Sequence, residues 1–165
     1  MPQNHSQLKA KTVVKKKEKT VVKKKEANRV AETQEEETMQ TMQQQRAKFA
    51  LEGVKRAAER LNRDAQGEYC SHVAGLPFMI HANGLGQAAA FYSSKAIGSG
   101  TNDYRLIYEL LSDWLKAPGQ PFEGRDLLEG ITQCDMSSYL AAQAEAMVFM
   151  NWVRKFAIAF MQGDN

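Results

Sequence analysis

The sequence predicts an all-α fold, a compact bundle of about five to six helices preceded by a disordered basic tail. Three observations lead there. From Thr38 onward apolar residues recur at intervals of three and four, and turn-forming residues interrupt that spacing at 62–67, 83–84, 97–102 and 118–119. The residues before Thr38 carry segregated charge and little that is apolar. A length of 165 residues with 43% hydrophobic and 25% charged side chains fits one ordinary domain. The expected division is 1–37 as a low-complexity tail and 38–165 as the bundle.

In the tail, KTVVKKKE at 11–18 is repeated unchanged at 19–26, a period that matches neither a helix nor a known solenoid unit. Val13, Val14, Val21 and Val22 bury too little to offset the entropy of ordering, so disorder is expected to about residue 37. Ten of the 22 Lys and Arg lie in 1–37 beside six of the 19 acidic residues, which leaves the folded part near neutral. A polyelectrolyte arm for RNA and a merely solubilising extension are the two readings of the tail.

The first helix is expected over 38–61, with Thr38 as cap and Ala47, Ala50, Val54, Ala57 and Leu61 on its apolar stripe. Residues 62–67 supply the stop. A second helix over 68–82 carries Tyr69, Val73, Leu76, Met79 and Ile80 and is bent or reset at Pro77. Asn83-Gly84 ends it, since glycine suits the left-handed conformation at a helix C-terminus, and a third runs over 85–95. After a Gly/Ser loop, Tyr104, Ile107, Tyr108, Leu111, Trp114 and Leu115 define a fourth, which Pro118-Gly119 breaks. A short fifth over 125–132 presents Leu127, Leu128 and Ile131. Asp135 is placed to cap the last, 136–161. That helix is apolar nearly all round, which suits the middle of a bundle. Its stripe of Phe149, Trp152, Phe156 and Phe160 reads as core, because a base-stacking platform needs exposed rings next to positive charge.

No charged start with an apolar run and cleavage site is present, and no apolar stretch approaches the roughly 20 residues that span a bilayer. A cytoplasmic protein with Cys70 and Cys134 reduced is expected.

The chemical constellations are weak. Gly84-Leu85-Gly86-Gln87-Ala88-Ala89 fits the dinucleotide fingerprint, but that motif works only between a strand and a helix, and helix is expected on both sides. Cys70, His72, His81 and Cys134 lack paired metal-ligand spacing. Asp126 and Glu129 stand three apart and read as a solvated helix face rather than as holders of paired magnesium ions. Neither a catalytic residue, nor a metal, nor a cofactor, nor a small-molecule substrate is expected.

Basic residues offer more. Arg46, Arg56, Arg60 and Arg63 gather on the polar side of the first helix, with Lys48 and Lys55 on a neighbouring face. Arg154 and Lys155 interrupt the apolar last helix, and Lys95 closes the third. These are the RNA-binding candidates, although Glu52 and Glu59 stand where they can pair with several of them.

Three blocks carry a resemblance: QQRAKFALEGVK at 44–55, LPFMIHANGLGQAAAFYSSK at 76–95 and EAMVFMNWVRKFAIAF at 145–160. In this order they resemble the small-subunit family of the Cmr complex, the type III-B CRISPR effector. The resemblance implies a helical bundle that stacks in several copies beside the crRNA-carrying filament and lines the channel where target RNA pairs. It implies an architectural role in antiviral defence, with cleavage left to other subunits. The partners implied are other Cmr subunits, further copies of this chain, and crRNA or target RNA. Asn83, Gly84 and Gln87 match its central motif, and Trp152, Arg154 and Phe156 match its last helix. Asn83 and Gly84 read as a helix junction, Trp152 and Phe156 as core, and Arg154 as the foremost functional residue. The basic tail lies outside the family pattern, and 96–135 matches loosely. A rival reading is a helical protein-interaction module whose tail does all the nucleic-acid binding.

Overall fold

A computed structural model describes residues 40–97 and 102–161. The tail expected over 1–37, the Thr38 cap and most of the Gly/Ser loop lie outside the described residues. These form five helices and no strand: α1 Met42–Arg60, α2 Arg63–Lys95, α3 Asp103–Leu115, α4 Leu127–Gln133 and α5 Met136–Met161.

The stop expected over 62–67 is only two residues long. The side chain of Asn62 accepts a hydrogen bond from the Ala65 amide at 2.9 Å and caps α2. Gln66 reaches back and donates to the carbonyls of Ala58 and Leu61 at 2.9 and 3.0 Å, which takes up acceptors that the end of α1 leaves over. With both helix ends satisfied, no longer loop is needed. The helix therefore restarts at Arg63, and Gly67 lies inside it, exposed.

The two helices expected over 68–82 and 85–95 form one run of 33 residues that is broken at a single point. Pro77 sits within the helical run, and only Gly84, at φ 82° and ψ 161°, leaves helical geometry. That region is open essentially to glycine alone. The break frees amide groups at the start of the second half, and α5 satisfies them: Leu85 N–H donates to Gln143 Oε1 and Gly86 N–H to the Tyr139 hydroxyl, both at 3.0 Å.

Asn102 caps α3 through the Arg105 amide at 2.7 Å, Asp126 caps α4 through Leu128, and Asp135 accepts from Ser138 N–H at 2.9 Å to start α5. Between α3 and α4 the chain turns over Phe122, which is fully buried against Gly130, where a Cβ would collide with the ring.

Helix α5 packs chiefly against α1 and α2 and more sparingly against α3. Its Phe149 stacks on Trp114 of α3 at 5.1 Å and 10°, and Phe49 of α1 meets both rings, tying three helices together. Of the rest of the aromatic stripe, Phe160 departs from the core assignment. Trp152 and Phe156 are half-buried and lie against the core, and Phe160 is 51% exposed. Two facts explain this. Trp152 and Phe156 lie at the edge of the buried arc of α5, whereas Phe160 comes round to within about 20° of the side that Phe149 occupies. At the last turn of α5 that side is no longer covered, and Ile158, on nearly the opposite side of the helix, is exposed as well. Leu140 is exposed on the side of Ile158 toward the other end, and Val148 is exposed beside it. Among the described residues no helix is long and apolar enough to cross a membrane.

Candidate nucleic-acid interface

Of the basic candidates, Arg46 is withdrawn from solvent. Its Nε and Nη2 donate to the two carboxylate oxygens of Glu145 at 2.6 and 2.7 Å, and Trp114 Nε1 donates to Glu145 Oε1 at 2.9 Å. Burial disfavours the Glu145 charge, but these hydrogen bonds and the Arg46 charge outweigh it and hold the carboxyl below its ordinary value. The same bidentate bond raises Arg46. Arg46 is thus a clasp between α1 and α5, and its guanidinium is spoken for.

Arg56 and Arg60 are exposed on one wall of a cleft of about 240 Å³ between α1 and α3, floored by Gly53, Ala57, Leu106 and Leu110. The opposite wall carries Glu109 and Asp113, the latter paired with Lys116 at 2.6 Å. Carboxylates facing the arginines lessen the attraction of this cleft for a polyanion. Arg63 opens α2 instead of closing α1, and is exposed.

The intrahelical pairs expected from Glu52 and Glu59 do not form. Lys48, Lys55, Arg56, Arg60 and Arg63 make no ion pair among the described residues, and neither do Arg154 and Lys155. Two of these lysines lie over rings instead: Lys55 Nζ is 5.6 Å from the Phe160 centroid and Lys155 Nζ 5.4 Å from that of Trp152. The structure thereby brings Lys55 of α1 and Lys155 of α5 to the two ends of one aromatic row. Lys95 stands apart at the end of α2, over Phe91 at 5.7 Å.

In the central motif, Asn83 and Gln87 are exposed on either side of the Gly84 break. The fingerprint-like segment that begins at Gly84 leads from one half of a helix into the other, with no strand before it.

A cluster that the sequence did not announce lies where α2 meets α3. His72 Nδ1 bonds the buried carboxylate of Asp103, His72 Nε2 stands 2.8 Å from the Tyr104 hydroxyl, and Tyr92 donates to the His72 carbonyl at 2.7 Å. The order carboxylate, imidazole, hydroxyl is that of a nucleophile relay, but burial and the charges of Asp103 and Glu68 raise the Tyr104 phenol, the reverse of activation. The cluster pins two helices together. No sequence motif signals it, since His72 and Asp103 are 31 residues apart. Among the described residues no group of three or more His, Cys, Asp or Glu converges on a point.

Residues 42–160 match the family described as CRISPR-associated protein (Cas_Cmr5). A relative from Thermus thermophilus, the CRISPR system Cmr subunit Cmr5, is 27% identical over 116 residues, covering 70% of this chain and 92% of its own length. The crystal structure of a CRISPR-associated Cmr5 family protein from the same organism superposes with a TM-score of 0.57 at 28% identity. The match covers 74% of this chain and all of that one.

Proposed function

Because the chain belongs to the Cmr5 family of CRISPR-associated proteins, we propose that it is a non-catalytic structural subunit of a type III-B Cmr ribonucleoprotein, acting in the cytoplasm in antiviral defence. In this reading several copies stack beside the crRNA-carrying filament and line the channel that receives target RNA. Residues 38–165 form the working domain, with 1–37 as an appended tail.

The observation that carries the reading is a group of exposed cations on α1 and α5, Lys48, Lys55, Arg154 and Lys155, that have no carboxylate partner among the described residues and, unlike the equally unpaired Arg56 and Arg60, do not line the cleft with Glu109 and Asp113. They contact phosphates and leave sequence to guide pairing. A near-neutral domain attracts RNA weakly alone, so useful affinity comes from copies acting in series. The exposed apolar residues Leu140 and Val148 of α5 are the surface we assign to neighbouring subunits.

The test reverses Arg154 and Lys155 to Glu together and measures target capture by the assembled particle over a salt series. Capture is expected to weaken, and its log–log salt slope to flatten by about 0.7 for each phosphate no longer neutralised. Unchanged capture at physiological salt removes these residues from the interface. The exposed apolar face also suits the rival, a protein-interaction module whose tail binds the RNA. Deleting 1–37 separates the two: loss of RNA capture favours the rival and retention favours the channel.

A further inference from the structure

Along the end of α5 the rings of Trp152, Phe156 and Phe160 form a ladder. Trp152 and Phe156 lie 5.6 Å apart and 24° from parallel, and Phe156 and Phe160 lie 6.4 Å apart at 42°. Phe149, one turn earlier, is sealed between Trp114 and Phe49, whereas the ladder opens toward the end of the helix: Trp152, whose indole N–H donates to Gln43 Oε1 at 3.1 Å, and Phe156 are half-buried against the core, and Phe160 is 51% exposed. Each end carries an ammonium group, Lys155 at Trp152 and Lys55 at Phe160. A flexible cation resting over a ring marks a π face accessible to a ligand.

The charge around the ladder has one sign on α5. Its single carboxylate, Glu145, is engaged by Arg46 and Trp114, and Arg154 and Lys155 have no acidic partner among the described residues. On α1, Glu52 and Glu59 stand one turn to either side of Lys55 but do not pair with it. Exposed rings flanked by such cations are what distinguishes a stacking platform from a core stripe.

We infer that this ladder is a stacking platform for the unpaired bases of single-stranded RNA, with Lys55 and Lys155 holding the flanking phosphates. The inference rests on the RNA-facing reading of α1 and α5 and extends it from phosphate to base. As a base arrives, the ammonium leaves the ring for a phosphate. An exposed cation–π contact is weaker than base–aromatic stacking, so the exchange is favourable. Every base has a π face, so the platform is indifferent to sequence and selects strandedness, since a duplex keeps its base faces covered. A protein partner laid over the ladder would have to desolvate both ammonium groups, whereas a polyanion neutralises them.

The test uses the full chain and its own fluorescence. Trp114 is 3% exposed, so an emission change on adding RNA reports Trp152. A single-stranded uridine oligomer and a blunt duplex of equal length are titrated into the wild type, Phe160→Leu, Phe160→Tyr and the Arg154→Glu, Lys155→Glu double variant. The basic tail is the same in all four and cancels in the comparison. The single strand is expected to quench the emission and the duplex to bind without quenching. Phe160→Leu is expected to weaken single-strand binding at least about fivefold while leaving duplex binding alone, and Phe160→Tyr to restore it. Equal quenching by duplex overturns the platform, as does single-strand affinity indifferent to Phe160→Leu. If the double reversal weakens RNA binding and Phe160→Leu does not, the phosphate interface stands and the stacking falls. If Phe160→Leu instead costs the chain its partner subunits with RNA affinity intact, the ladder is a protein contact.

Discussion

The hydroxyl of Tyr139 stands 3.0 Å from the amide nitrogen of Gly86, on the far side of the break that Gly84 makes in α2. One residue of α5 thus completes the backbone bonding of another helix. Tyr139→Phe removes the acceptor and keeps the ring, leaving a half-buried N–H unanswered. A loss of about 1–3 kcal/mol is expected, read as a lower urea midpoint at unchanged slope.

Gly84→Ala tests the break itself. At φ 82° and ψ 161° an alanine is strained, and its Cβ would also press on the Tyr139 hydroxyl. The expected cost is roughly 1–3 kcal/mol, read from the same urea midpoint. Gly75→Ala, in the same helix with open space around it, is the control and should be neutral or stabilising.

Glu145 predicts a pH dependence. Its folded value lies below the ordinary 4.5, so the stability it contributes is present above about pH 4.5 and is lost as pH falls through the folded value. Glu145→Gln should lower the melting temperature at neutral pH, and its deficit should shrink in acid as the wild-type carboxylate protonates. The caps Asp126 and Asp135 are depressed as well, so the variant keeps part of the acid sensitivity. A deficit that does not change with pH would refute the assignment.

For His72 and Asp103 the expected signature is non-additivity. His72→Ala leaves the Asp103 carboxylate, whose side chain is 9% exposed, without its imidazole. A loss of roughly 1–3 kcal/mol is expected. Asp103→Asn added to that variant should cost less than it does alone, giving a coupling of about 0.5–3 kcal/mol in a double-mutant cycle.

What the sequence reveals is local. Spacing places α3 and α5 to within a residue or two, and the Asp135 cap marks where α5 starts, because periodicity and an N-cap are encoded within one turn. The corner at Asn62 reads too long because Gln66, which closes α1 from within the next helix, resembles any exposed polar residue. Arg46 falls in with the solvent-facing arginines because its partner is 99 residues away. Phe160 reads as core because spacing tells which side a residue faces, but not where the neighbouring helices stop covering that side. Each of these depends on contacts between helices, which a one-dimensional pattern does not carry.

The separation between Arg46 and Glu145 also sets a timetable for the newborn chain. At about 5–20 residues per second, a ribosome adds the 99 residues between them in roughly 5–20 seconds, and through that interval α1 has no α5 to lie against. Its apolar stripe, with Ala50, Val54 and Ala57, must wait in water or in the keeping of a chaperone. Closure of the clasp is therefore a late event in biogenesis, and a transcript cut short before Glu145 yields a polypeptide that protein quality control can recognise by that stripe.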